Sequence, residues 1–267
     1  MTREHKQAPS RTPKQAGGWL RRNRWIYGLL GFLIVWQVAV WLSGVPKYIL
    51  ASPIDMIRAI VGDADFLAPH VGMTILETVC GFALSIVLGV SFGAWMNAST
   101  LARDLLYPPM VLSQTIPLMA IAPLILIWFG FGVLAKVLIV TFVCFFPIAV
   151  NAYEGFRSVD PAYAELLETY GAGAGDRYRH LYIPASLPSL VAGAKIAATY
   201  SVLGAVIGEW LGGSKGMGVY MTRALSSVRV DRMFGAILIV MLLSYGLFRA
   251  VDGIGRRLTP WMRGRNQ

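Results

Sequence analysis

The side chains of this sequence that are capable of chemistry are few and widely spaced. His5, His70 and His180 fall in separate predicted loops and form no HExxH metal motif. Cys80 and Cys144 both sit inside apolar runs, giving neither a disulfide framework nor a zinc-ligand cluster. The nearest match to a phosphate loop, Gly208 to Lys215 (GEWLGGSK), has Ser-Lys where the motif needs Lys followed by Ser or Thr. Gly171, Gly173 and Gly175 spell GAGAG, which misses the GxGxxG spacing and follows no predicted strand. Asn97-Ala98-Ser99 is a formal glycosylation acceptor, and we read it as a chance match on a turn. No set of residues converges on acid–base, nucleophilic or metal-assisted catalysis, so the chain is not expected to be an enzyme and no cofactor or metal site is expected. What remains is a polar minority within apolar sequence: Gln114 and Thr115 among Pro108, Pro109, Pro117 and Pro123, then Tyr200, and then Glu209 within Gly208-Glu209-Trp210.

The elements that must position these residues follow from composition. Of 267 residues, 56% are hydrophobic and 14% charged, well below the roughly 25% charged residues of a soluble domain. The net charge of +10 does not point to nucleic acid, because the basic residues cluster at the ends of apolar runs and not on an aromatic-laced face. A helix crosses the hydrocarbon core in about 20 residues. Six such spans are predicted: 25–46, 78–102, two within 105–153 divided at Gly130-Phe131-Gly132, 190–211 and 233–251. Lipid offers the backbone no hydrogen-bond partners, so each must be helical. In the third, the four prolines are expected to open the backbone, which at membrane depth is tolerated only where protein or a cavity surrounds it. Gly89 and Gly93 offer a site of close helix approach, within the chain or between chains.

Placing both termini in the cytoplasm puts seventeen Lys and Arg inside. Seven are left outside or at the outer interface: Lys47, Arg58, Lys136, Lys215, Arg223, Arg229 and Arg232. Residues 1–24 then form a basic cytoplasmic tail expected to be disordered, 25–252 the membrane domain, and 253–267 a second basic tail. The first apolar run is longer than a signal-peptide core and follows a long polar segment, so it is expected to remain as a helix. Ser52-Pro53-Ile54-Asp55 reads as a helix start, and Met56, Ile57 and Ile60 are candidates to lie along the outer membrane surface. Glu209, a carboxylate inside a span, is either functional or a structural partner for a cation such as Lys215 or Arg223. Lys195 is expected to snorkel toward the cytoplasm.

The loop at 154–189 is long and cytoplasmic on this topology. Asp160-Pro161 starts a helix whose Tyr163, Leu166, Leu167 and Tyr170 recur at i, i+3, i+4, i+7. The glycines at 171, 173 and 175 end it, and Asp176 is placed to cap a second short helix that should stop near Pro184. An exposed amphipathic hairpin of this kind serves either as a membrane-surface element or as a docking surface.

The same loop resembles the signature of permease subunits of binding-protein-dependent ABC importers, in which Glu-Ala-Ala is followed after three residues by Gly and after nine more by Ile-x-Leu-Pro. Here the pattern reads Glu165-Leu166-Leu167, Gly171, then Leu181-Tyr182-Ile183-Pro184, with spacing intact and other apolar residues in place of both alanines, the Ile and the Leu. Ile121-Ala122-Pro123-Leu124, Trp128 to Gly132, Phe146-Pro147, Arg157 to Pro161, Pro184 to Pro188 and Gly208 to Gly212 are similar to the nitrate, sulfonate and taurine branch. Ala198 to Ser201 running into Gly204 to Trp210 is similar to permeases for the pyrimidine precursor of thiamine, or for riboflavin. The resemblance implies the six-helix type I importer permease fold in a bacterial inner membrane. It implies a second permease copy, two cytoplasmic ATP-binding subunits that hold the ATP, and a periplasmic or lipid-anchored binding protein, alongside membrane lipid and no nucleic acid. Glu165, Leu166, Leu167, Tyr170, Gly171, Ala172 and Pro184 would then belong to the ATPase-coupling hairpin, and Gln114, Thr115, Tyr200 and Glu209 to the pathway. The alternative is an ion-coupled secondary transporter, which needs ionisable residues within its spans.

Overall fold

A computed structural model describes residues 24–261, and no strand occurs among them. The first 23 residues of the predicted N-terminal tail, and residues 262–267 of the C-terminal one, lie outside the described residues. The helices are α1 (Arg24–Ser43), α2 (Pro53–Gly62), α3 (Ala64–Ala98), α4 (Thr100–Ser113), α5 (Leu118–Phe129), α6 (Val133–Arg157), α7 (Pro161–Thr169), α8 (Ala174–Arg177), α9 (Ile183–Gly212), α10 (Met217–Ser226) and α11 (Val230–Leu258). A π-helical turn, Tyr178–Tyr182, joins α8 to α9.

Five of these runs are long and apolar enough to cross a membrane: α1, α3, α6, the continuous stretch Ala174–Gly212, and α11. Helices α4 and α5 make a sixth when counted as one span bent by 109°. The bend follows from Pro117, which has no N–H to continue α4 and stands as the extended residue before α5. Gly130, at φ +80, closes α5 where the predicted break falls.

Two boundaries differ from expectation, each for a physical reason. Pro184 does not stop a helix. The π turn before it re-registers the backbone, with Ile183 N–H reaching Tyr178 O, so the proline falls in the first turn of α9, where no N–H is required. Helix α3 begins at Ala64, well before Thr78, because one face of its first turns packs into the protein, through Leu67, His70, Thr74 and Glu77. That extension brings His70, Thr74 and Glu77 into the bundle, all buried.

Helices α3, α6 and α9 form the centre. Along α3 a Cβ at Gly81, Gly89 or Gly93 would lie 2.5 Å from Val140 Cβ, 2.7 Å from Ile148 Cγ2 and 2.6 Å from Ala152 Cβ. The glycine stripe is therefore a contact within the chain, where small residues let α3 and α6 approach closely. Phe82, Val140, Cys144, Ile148, Ala197 and Ala205 fill the layer between the three helices. At the end of α9 farthest from α7, α10 folds back over the bundle and seats Met217, Tyr220 and Met221 against Leu67, Val202 and Val206. Helix α2 starts as expected, with the Ser52 side chain accepting from Asp55 N at 3.2 Å. Its Met56 is buried and its Ile60 packs into the core beside Gly235 of α11, so of the three apolar residues only Ile57 faces outward.

Candidate functional site

The 154–189 loop forms the predicted hairpin. Asp160 caps α7 by accepting from Ala162 N at 3.0 Å. The helix ends in a Schellman motif: Gly171 takes φ +81, its N–H donates to Glu168 O at 2.9 Å, and Ala172 N–H donates to Leu167 O at 3.0 Å. Gly173, not Asp176, precedes α8; Asp176 lies inside the first turn and makes no capping bond. Arg177 ties the two helices by donating to Glu168 Oε2 at 2.8 Å. Tyr178 fixes the base to α3, donating to Ala94 O at 3.1 Å and accepting from Asn97 Nδ2 at 3.1 Å. The predicted apolar stripe has no covering element: Tyr163, Leu166 and Tyr170 are 60%, 52% and 82% exposed, and Leu167 is half-buried. Glu165 is exposed on the same short helix, and Pro184 stands beyond the hairpin at the start of α9.

Of the four predicted pathway residues, two come together. Gln114, at the α4–α5 bend, and Tyr200, on α9, line one concavity of about 440 Å³ with Phe142, Phe146 and Leu203. The lining is apolar and aromatic with an amide, and it contains no Lys, Arg, Asp or Glu. Thr115 is not part of it, and its hydroxyl donates to Leu112 O at 2.7 Å.

Glu209 lies elsewhere, fully buried where α3, α6 and α9 meet the 213–218 segment, a short loop with the first turn of α10 that is called the 213–218 loop below. Its partner is neither Lys215 nor Arg223; Arg223 instead stacks 5.8 Å above the Phe66 ring. Glu209 Oε1 accepts from Thr74 Oγ1 at 2.6 Å and Oε2 accepts from Gly218 N at 2.6 Å. The same Thr74 oxygen accepts from Met217 N at 2.8 Å. His70 Nδ1 lies 3.0 Å from Gly216 N and 2.8 Å from Gly216 O, accepting from one or donating to the other according to its tautomer. Beside this anchor, Lys136 Nζ is 3.1 Å from Glu77 Oε1, with the two side chains 2% and 0% exposed. Lys136 is therefore not an interface cation as its place in the sequence suggested. Lys195, in contrast, holds Asp252 at 2.8 Å across α9 and α11.

Sequence reasoning missed Glu77, Lys136, Thr74 and His70. One signal was present: His70, Thr74 and Glu77 stand at i, i+4, i+7, one face of a helix. Among the described residues no group of His, Cys, Asp or Glu is arranged to hold a metal ion.

Residues 85–263 match the model of the family described as binding-protein-dependent transport system inner membrane component. The chain belongs to that family. It is an ABC importer permease, a transport component and not an enzyme, and the family decides against the secondary-transporter alternative. It is similar to the formylaminopyrimidine transport permease protein ThiX of Halalkalibacterium halodurans, 35% identical over 88% of this chain and 94% of the relative. It is also similar to the putative aliphatic sulfonates transport permease protein SsuC of Bacillus subtilis, 26% identical over 90% and 89% of the two chains. These relatives put the permease in the branch its motifs resemble. A chain of the methionine ABC transporter MetNI, solved in inward-facing conformations, shares the fold with a TM-score of 0.64 at 20% identity, over 74% of this permease and 98% of that chain.

Proposed function

We propose that this permease imports a neutral heteroaromatic solute of the formylaminopyrimidine class across a bacterial inner membrane. It would act as a homodimer with two cytoplasmic ATP-binding subunits and an external binding protein, and with both termini in the cytoplasm. The observation that carries the solute class is the concavity beside Gln114 and Tyr200. Its aromatic walls suit stacking, its amide suits a ring nitrogen or a formyl oxygen, and it has no cation to neutralise a sulfonate. The 35% identity to a formylaminopyrimidine permease supports the same reading.

The 154–189 hairpin supplies the link to ATP. An uncovered apolar stripe on a capped, rigidly based helix suits insertion into a groove of a partner. ATP binding would draw the two hairpins together and open the pathway outward, and hydrolysis would return it inward. Gly171→Val places a β-branched residue at φ +81, straining the Schellman turn by about 1–2 kcal/mol. Nothing lies within 4 Å of that Cβ, so the bundle is undisturbed. In a strain lacking the natural permease, the wild-type chain should restore uptake of labelled formylaminopyrimidine. Gly171→Val and Glu165→Lys should insert normally but lose uptake and lose stimulation of ATP hydrolysis by loaded binding protein. Restored alkyl-sulfonate uptake with no pyrimidine uptake would overturn the solute; normal stimulation in both variants would overturn the hairpin's role.

A further inference from the structure

The buried group under the 213–218 loop does not balance in charge. Glu77 and Glu209 bring two carboxyls and Lys136 brings one ammonium, all within 2% of complete burial. The other titratable groups nearby do not enter this space: Lys215 of the 213–218 segment is exposed, with no ion pair to either carboxyl among the described residues. His70 of α3 is engaged with Gly216, and Tyr220 of α10 donates to Asp63 at 2.8 Å. Asp63 in turn is paired with Arg232 at 2.7 Å. Helix α6 contributes only Lys136 and α9 only Glu209. Two ionised carboxylates against one cation would leave a net negative charge without solvent, which proteins avoid by binding a proton.

The hydrogen bonds point to where that proton sits. Glu209 has a donor on each oxygen, from Thr74 and Gly218. Glu77 is fully buried, and the one cation against it is Lys136, 3.1 Å from Oε1. Glu77 stands one turn along the same buried face of α3 from Thr74, which holds Glu209 at 2.6 Å, so the two carboxyls share one dry space that two bare carboxylates would not occupy together and a carboxyl–carboxylate pair can.

We propose that Glu77 and Glu209 share one proton while the 213–218 loop is docked, making a neutral group with Lys136 that anchors the loop to α3. Glutamine at either position mimics the protonated acid and leaves one carboxylate to one ammonium, with no proton required. The test is infrared spectroscopy of the full chain in lipid nanodiscs at neutral pH, in H₂O and in D₂O. The wild type should show the carbonyl band of a buried protonated carboxyl, shifted down in D₂O. Both Glu77→Gln and Glu209→Gln should lose it. Absence of the band from the wild type, or its survival in either variant, overturns the proposal. If Glu209→Gln, which weakens an acceptor for the loop, does not assemble, the wild type and Glu77→Gln decide the matter. The readout is independent of transport, so it stands or falls apart from the solute.

Discussion

Thr74 is the smallest change that should release the 213–218 loop, and Val is the substitution that does it without a cavity. The hydroxyl is fully buried, donates to Glu209 at 2.6 Å and accepts from Met217 N at 2.8 Å. Valine keeps the shape, removes both bonds and leaves a buried main-chain N–H with no acceptor. Loss of a bond to a charged group is worth about 1.5–3 kcal/mol, and an orphaned buried polar group adds about 1–3. Interhelical side-chain bonds within membranes average only about 0.6 kcal/mol, because the unfolded reference finds other partners. The two scales therefore bracket the answer between about 1 and about 6 kcal/mol. The higher one applies here, because one partner is a carboxylate and the other a buried main-chain amide in the first turn of α10. Thr74→Val should accelerate hydrogen exchange at Met217 and Gly218 by about 10²- to 10³-fold, at 1.4 kcal/mol per tenfold, with α3 and α6 amides unaffected. Thr74→Ser, which keeps the oxygen, should exchange close to wild type. Acceleration of less than about tenfold in Thr74→Val would refute the reasoning and place the loop's stability in the apolar contacts of Met217 and Met221 instead.

Other outcomes follow from the packing and the surface. Gly89→Leu drives a side chain into Ile148 and the backbone of Ala149, which cannot withdraw, so the thermal midpoint in detergent should fall by the equivalent of about 1–3 kcal/mol or more. Gly72→Ala, on the same helix with nothing within 4 Å, should leave the midpoint unchanged or raise it by up to about 1 kcal/mol in equivalent. The Lys47 ammonium, 2.7 Å from Asp55, holds that carboxyl below its ordinary range, with the Ser52 hydroxyl adding a smaller effect in the same direction. Since the folded value is the lower one, the contribution is complete above the unfolded value of about 3.9 and is lost as pH falls through the folded value. The protection factors of the α2 amides, taken relative to intrinsic exchange at each pH, should therefore fall on acidification, and Asp55→Asn should show lowered protection already at neutral pH and a flatter response to acid. A wild-type α2 insensitive to acid would remove the ion pair from the account.

Much of the fold was legible because the membrane is a simple solvent. Apolar length alone marks α1, α6 and α11, and prolines at 108, 109, 117 and 123 mark the span that bends. The caps at Ser52 and Asp160 and the helix end at Gly171 follow from local chemistry and stand as expected. The failures are where protein replaces lipid as solvent. A hydropathy window starts α3 at Thr78, because the polar residues before it look like loop, whereas tertiary contacts bury them. A proline rule stops a helix at Pro184, whereas one π turn moves the proline to a position that needs no N–H.

The buried cluster was legible by halves, and the division has a cause. Glu209 stands out in any apolar run, and an ionisable residue at that depth is a functional candidate on cost alone. Its partners do not stand out. Thr74 is 135 residues away in sequence, and the remaining donor is the backbone N–H of Gly218, which no residue type advertises. Gly218 is glycine for a steric reason: a Cβ there would meet Glu209 Cβ at 2.9 Å and Trp210 N at 3.1 Å. Lys136 was visible but misassigned, since a lone cation near the end of a span is usually an interface anchor. Only the pairing across α3 and α6, 3.1 Å wide and closed to solvent, distinguishes it, and that pairing depends on the glycine stripe that brings those helices together. The cluster and the close packing of α3 on α6 are thus one feature. A bulky residue at Gly81, whose Cβ would strike Val140 one turn along from Lys136, should disturb the ion pair as well as the packing. Gly81→Leu is therefore expected to accelerate exchange in the 213–218 loop, whereas Gly93→Leu, three turns farther along α3, should loosen α3 and α6 and leave that loop protected. Equal effects of the two on the loop would separate the anchor from the packing that this geometry joins.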